Sequence, residues 1–279
     1  MDRRGFEAAL EATVRAHRFT IAITFPLVGA ALFLAASAGL VPSWLAFDPL
    51  FILFGTVVMR LPLVGGLAPL VDRRAGAALL ALTAYTYGVE FLGVTTGFPY
   101  GTFSYRLHLG PMLFGVVPLG LPLFFFPLVL NAFLLALLLL GSAAGSRAVR
   151  LLVAAGIVVG MDLVLDPGAV SLGFWRYAAD GVYYGVPLSN YAGWVLSGLV
   201  AVGLVDLGFD WRALERRLET CEFVLDDLLG FLLLWGVVNA YFENWLALLV
   251  AAFGFVALVR TDRFDFDVLG RQAEGTPER

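Results

Sequence analysis

Between Phe19 and Val259 the sequence returns repeatedly to apolar stretches of about the length that crosses a bilayer. No other feature limits the fold as strongly. A chain in hydrocarbon must satisfy its backbone groups internally, which leaves helices or a closed barrel. The apolar runs are continuous rather than alternating, so helices are expected. The stretches are roughly Phe19–Leu40, Phe47–Val71, Ala75–Val94, Met112–Leu140, Leu151–Leu165, Ser189–Leu207, Leu225–Val238 and Trp245–Val259. The first is longer than the roughly 7–15 apolar residues of a signal peptide and reads as a retained helix. The last two are short for about 30 Å of hydrocarbon, as two spans or one long broken one. The predicted fold is all-α, a polytopic transmembrane helix bundle of about seven or eight spanning helices.

Composition agrees. Hydrophobic residues make up 60% of the 279 and charged residues 14%, against about 25% charged in soluble domains. Mean hydropathy is +0.88. Residues 1–18 carry Phe6, Leu10 and Val14 on one face and read as an interfacial amphipathic helix. Residues 19–260 form the transmembrane domain, and 261–279 a polar C-terminal tail.

All 18 basic residues are Arg. Without Lys, neither a retinal-type Schiff base nor a pyridoxal-phosphate enzyme is possible. The missing Lys and a pI near 5.2 suggest a GC-rich, halophilic source. One cysteine, Cys221, excludes an internal disulfide, and His17 and His108 lack zinc or di-iron spacing. No metal site is expected. With no GxSxG, P-loop or GxGxxG, neither nucleophilic hydrolysis nor nucleotide binding is indicated. With eight helices and the N-terminus inside, every Arg except Arg60, Arg106 and Arg176 falls on the inner side, as the positive-inside rule expects.

Two outer loops, Thr95–Pro111 and Pro167–Leu188, are long and rich in Gly, Pro and aromatics, on one face of the bundle. Loops of that kind tend to carry function. They resemble each other: Glu90, then GFPYGTFSYR, then FGVVPL; and Asp162, then GFWRY, then YYGVPL. A helix–loop–helix unit duplicated in parallel orientation gives this pattern.

Polar groups in hydrocarbon are costly and point to function. Glu90, Asp162, Asp166 and Asn190 fall near the outer helix ends, with Arg106, Arg176, Tyr105, Trp175, Tyr183, Tyr184 and Trp194 on the same side. Each also has a structural reading: aromatic residues belt every membrane interface, and Asp166-Pro167 can simply end a helix. Asp162 and Asp166, at i and i+4, share a helix face. Two such carboxylates in a low-dielectric setting cannot both ionise cheaply, so one is expected to keep its proton and serve as a general acid. Such an acid can protonate an alkene, aromatic faces can stabilise the carbocation, and water can capture it. On this reading Asp162 or Glu90 donates the proton and Asp166 orients water or tunes its neighbour. Trp175, Tyr183 and Tyr184 flank the cation. Tyr105, Asn190 and Trp194 complete the substrate site, and Arg106 and Arg176 hold carboxylates and loops in place.

The segments YGVEFLGVTTGFPYGTFSYRLHLGP, MDLVLDPGAVSLGFWRY and YYGVPLSNYAGW resemble the membrane carotenoid-biosynthesis hydratases, strongly over Tyr87–Trp194. The resemblance implies a cofactor-free lyase that adds water to terminal C=C bonds of an acyclic carotenoid, leaving tertiary alcohols. In haloarchaea the product would be bacterioruberin. It also implies a lipophilic carotenoid substrate, a cell-membrane setting, other carotenoid-biosynthesis enzymes as partners, and no nucleic acid. It supplies no catalytic residues. Three other readings stay open: a membrane prenyltransferase using Asp162 and Asp166 with Asp226-Asp227 as a second acidic motif, a small-molecule transporter, and a scaffold within a biosynthetic complex.

Overall fold

A computed structural model describes residues 2–107, 109–261 and 263. The polar tail beyond residue 263 and His108 lie outside the described residues. The chain begins with α1 (Arg3–Ala16), N-capped by Asp2. A π-helical turn, Thr20–Thr24, leads into α2 (Phe25–Ser37). Then come α3 (Pro49–Leu67) and α4 (Arg73–Thr96), each capped by an Asp side chain. Three short strands follow, β1 (Phe103–Tyr105), β2 (Met112–Leu113) and β3 (Val117–Pro118). The rest comprises α5 (Leu121–Leu140), α6 (Arg147–Leu172), β4 (Trp175–Tyr177), α7 (Leu188–Gly208), α8 (Trp211–Thr220), α9 (Asp226–Tyr241) and α10 (Trp245–Val259).

All eight expected apolar stretches contain a helix. Six helices among the described residues are long and apolar enough to cross a membrane, from Thr20–Ser37 through Leu188–Gly208. At about 1.5 Å per residue, α9 and α10 fall short of roughly 30 Å. Most of α9 is buried, packed against α2, α3, α6 and α10, so it fills the bundle rather than facing lipid. The N-terminal helix does more than float on the surface. Leu10 and Val14 come within 3.5 and 3.7 Å of where a Cβ at Gly65 of α3 would lie, and Arg3 donates to the carbonyls of Ala68 and Val71.

Two boundaries differ from the sequence reading. The stretch from Met112 does not start as a helix: β2 and β3 form a hairpin turned through Phe114 and Gly115, both at positive φ. The second difference is Pro167, where a helix end is expected. Instead α6 continues to Leu172 and stops at Gly173 in the left-handed region. Proline cannot donate to the carbonyl four residues back. Here that carbonyl, on Leu163, accepts the Tyr183 hydroxyl at 3.1 Å. Pro127 inside α5 frees the Leu123 carbonyl in the same way, and Arg60 Nε donates to it at 3.2 Å.

The two similar segments face each other. β1 pairs antiparallel with β4, with Phe103 opposite Tyr177 and Tyr105 opposite Trp175. The first helix of each unit packs on the last helix of the other: α4 on α7, and α6 on α5. The α4–α7 crossing is close. A Cβ on Gly208 would lie 2.3 Å from the Ala78 Cβ, whereas one on Gly203 of the same helix would meet nothing within 4 Å. Gly208→Ala is therefore expected to destabilise by about 1–3 kcal/mol through overpacking. Gly203→Ala should be neutral or stabilising by up to about 1 kcal/mol. Thermal unfolding of the two variants in detergent checks the contrast.

Candidate functional site

A cavity of about 570 Å³ lies between the C-terminal ends of α4 and α6, the β1–β4 pair and the helices α2, α3, α5 and α9. Its walls are mostly aromatic and aliphatic. Phe33, Phe47 and Phe174 form one cluster, with Phe33 and Phe174 edge to face at 5.4 Å. Trp194 stacks on Phe125 at 5.4 Å and tilts toward Tyr100 at 5.6 Å. Several lining residues of α2, α3 and the segment between them also form the outer surface. Trp44 is 71% exposed and Phe54 61%, and Val28, Leu32 and Phe51 are exposed too. In a bilayer this side of the cavity faces acyl chains.

Polar groups also reach the cavity wall. Each comes from an element the sequence dictates. Glu90 stands late in α4, and Tyr105 at the end of β1 donates its hydroxyl to Glu90 Oε1. Asp166 stands late in α6, and Tyr177 at the end of β4 donates to Asp166 Oδ2 at 2.9 Å. The duplicated units thus repeat one device, a helix carboxylate bonded by a tyrosine from the strand that follows. In both cases strand alternation sends the tyrosine inward.

Asn190, in the first turn of α7, joins the two aspartates. Its Nδ2 donates to Asp162 Oδ2 at 2.9 Å and to Asp166 Oδ2 at 2.6 Å. Asp166 Oδ2 therefore accepts two hydrogen bonds. Its Oδ1 takes none among the described residues, and the residue lines the cavity.

Of the sequence-predicted residues, Glu90, Asp166, Tyr105, Trp175, Asn190 and Trp194 line the cavity. Asp162 does not. It is fully buried behind Asn190, one helical turn below Asp166. Tyr183 and Tyr184 are likewise not at the cavity wall. Tyr183 completes α6 at Leu163, and the Tyr184 hydroxyl accepts from the Leu246 backbone N–H at 3.0 Å. Arg106 and Arg176 are exposed and make no ion pair among the described residues. Alternation on β4 explains Arg176: with Tyr177 inward, its neighbour points out. Arg106 follows β1, and among the described residues only its backbone N–H is engaged, to the Phe174 carbonyl.

Tyr100 and Tyr177 are cavity residues to which the sequence reading assigns no role. For Tyr177 the available signal is the inward alternation of a Trp-Arg-Tyr strand. A further polar point on the cavity wall is Arg60, which ion-pairs with Asp227, whose other oxygen accepts from Asn131. Asp226 is paired with Arg18 at 2.7 Å. Both members of the candidate second acidic motif are thus committed to arginines and do not form a free pair facing Asp162 and Asp166.

A family model described as carotenoid biosynthesis protein matches residues 47–258. The chain belongs to that family. It is 60% identical over 261 residues to the bisanhydrobacterioruberin hydratase of Haloarcula japonica, covering 94% of this chain and 89% of that protein. That relative is a hydratase by name. No solved structure matches. In this carotenoid biosynthesis protein the matched span holds every cavity-lining carboxylate and aromatic residue named above except Phe33 and Trp44.

The buried Arg60–Asp227 pair sets a stability expectation. Arg60→Met leaves Asp227 uncompensated in the bundle, which costs about 3–5 kcal/mol when one partner of a buried pair is lost. Arg60→Met combined with Asp227→Leu should recover most of that loss. Unfolding midpoints of the two single variants and the double variant in detergent check the cycle.

Proposed function

We propose that this chain is a multi-pass membrane carotenoid hydratase, a hydro-lyase that adds water to a terminal C=C bond of an acyclic carotenoid. The substrate favoured is bisanhydrobacterioruberin, which the relative's name specifies. One observation carries the reading: an apolar cavity open on the lipid side runs to a cluster of buried carboxylates. A polyene dissolved in the bilayer can enter such a slot end first. A cavity of about 570 Å³ has the size of a site for a small ligand rather than for a fifty-carbon chain. One end group is therefore held while the rest of the chain stays in lipid.

Asp166 is the acid on this reading, in place of the Asp162 or Glu90 that the sequence favours. Its Oδ2 is held by Tyr177 and Asn190, leaving Oδ1 to present a proton to the alkene. Protonation at the less substituted carbon leaves a tertiary cation. The faces of Trp175 and Tyr105 and the charge of Glu90 stabilise it without reorganisation, because each is already fixed. Water then forms the C–O bond and gives up a proton. A proton, a water molecule and aromatic walls are all the chemistry this route requires. The eight-helix topology with the N-terminus inside belongs to the same reading and rests on the arginine distribution.

The test is expression of the full chain in a host that makes bisanhydrobacterioruberin, with extracts analysed by mass spectrometry. The expected product gains the mass of one water per modified end. Asp166→Asn should lower the rate by about 10²–10⁴-fold, the usual effect of losing a general acid. Product formation undiminished in that variant would remove Asp166 from the role, and no gain in the wild type would remove the hydratase reading.

A further inference from the structure

The β1–β4 pair turns one face to the cavity. In an antiparallel pair, directly opposed residues share a face, and so do residues two apart on a strand. Phe103, Tyr105, Trp175 and Tyr177 therefore form a two-by-two array. All four line the cavity. Their rings are in contact. The Phe103 centroid lies 5.8 Å from that of Tyr105 and 5.9 Å from that of Tyr177, and Tyr105 lies 6.5 Å from Trp175. Tyr105 and Tyr177 occupy diagonal corners, positions that stand about 7–8 Å apart in a sheet.

Each corner tyrosine holds a carboxylate by one oxygen. Tyr105 donates to Glu90 Oε1, and Tyr177 donates to Asp166 Oδ2 at 2.9 Å. Both carboxylates line the same cavity as the array. The other oxygen of each, Glu90 Oε2 and Asp166 Oδ1, accepts nothing among the described residues. The array is also fixed against α4. A Cβ on Gly93, three residues after Glu90, would meet the Phe103 ring at 3.2 Å. An end group lying on the four rings thus has a carboxylate at each of two opposite corners. The two are not equivalent. Asp166 shares the Asn190 amide with a second carboxylate, Asp162, and two carboxylates at one site do not both ionise cheaply. Glu90 has no such neighbour on its helix: Thr86, Tyr87, Gly93 and Val94 stand three and four residues to either side.

We infer that Glu90 is the base of the reaction, taking a proton from the water that captures the cation, across the ring array from Asp166. The inference rests on the hydratase reading of the same site. An acid and a base on either side of a reacting carbon, with room for water, is the arrangement by which inverting glycosidases deliver water. The step balances between the two carboxyl groups. Asp166 gives its proton to the less substituted carbon as the alkene π pair forms the new C–H bond. The water oxygen donates an electron pair to the tertiary cation, forming the C–O bond. One water proton then passes to Glu90. The two groups end with the one proton they began with, now on Glu90. The next water to enter between them returns it to Asp166. Tyr105 acts as a positioning residue for Glu90, since its hydrogen bond decides which oxygen is free.

The test separates protonation from capture. The full-length chain in membranes is given bisanhydrobacterioruberin in D₂O. Hydration is measured as mass gain, and protonation as deuterium in the recovered alkene. A cation that water does not capture returns a proton to Asp166 from the carbon that gained the deuteron, which leaves deuterium in the substrate. Glu90→Gln should lower hydration by about 10²-fold or more, as losing a general base does. Deuterium incorporation into recovered substrate should persist or rise in that variant, which also reports that its site is folded. Asp166→Asn, in contrast, should lose both signals. If Glu90→Gln loses incorporation together with hydration, Glu90 is needed before the cation forms and the inference fails. Hydration by Glu90→Gln at the wild-type rate overturns it as well. Both of those outcomes leave the hydratase reading standing, because the wild type still adds water. A wild type that gains no mass would remove that reading, and this inference with it.

Discussion

Keeping carboxylates inside a membrane-embedded bundle is the constraint on which the half of this protein around the cavity is built. A carboxyl group in hydrocarbon is tolerated only with hydrogen-bond donors placed for it. Glu90 receives one from Tyr105, Asp166 from Tyr177 and Asn190, and Asp162 from Asn190. The β1–β4 pair exists in the place where those tyrosines must originate. Its register sets Phe103 against Tyr177 and Tyr105 against Trp175, so two short strands hold both donors and two walls of the cavity. The two Gly-rich loops are therefore a scaffold for donors rather than covers over the helix ends.

A second use of polar side chains runs through the same bundle. Proline within a helix strands a carbonyl, and in lipid that carbonyl has no water to turn to. Tyr183 supplies the donor for the gap made by Pro167, and Arg60 for the gap made by Pro127. Arg60 is itself neutralised by Asp227. Polar residues at membrane depth here serve two ends, mending helices and meeting at the cavity, and Arg60 does both.

That division marks the limit of what could be read from the sequence. The all-α bundle, the eight helical stretches and the family were legible because apolar length and long motifs are local signals. So was the cluster containing Glu90, Asp166, Asn190, Tyr105, Trp175 and Trp194, because polar groups in apolar runs stand out. Tyr183 and Tyr184 carried the same local signal as Tyr105 and Tyr177, yet they serve backbone groups. Only tertiary contacts separate the two cases. The same holds for Pro167, whose helix-ending tendency is overridden by a hydroxyl 16 positions further along the chain. Arg106 and Arg176 were assigned to carboxylates on charge alone, and the short strands instead turn or release them outward. Asp162 was favoured over Asp166 as the acid, but one turn of helix puts Asp166 at the cavity and Asp162 behind it.

The open wall formed by Trp44, Phe51 and Phe54 has a bearing on how such a protein would meet its ligands. Nothing apolar reaches this cavity from water, so the relevant concentration is a mole fraction in the bilayer. Acyl chains of the surrounding lipids press against the same opening and are present in vast excess. They act as resident competitors for the slot. Saturation of the site is then a property of the membrane as much as of the protein: stiffer or shorter lipid tails that enter the slot less readily would tighten apparent affinity for any long hydrophobe, with no residue of the chain altered.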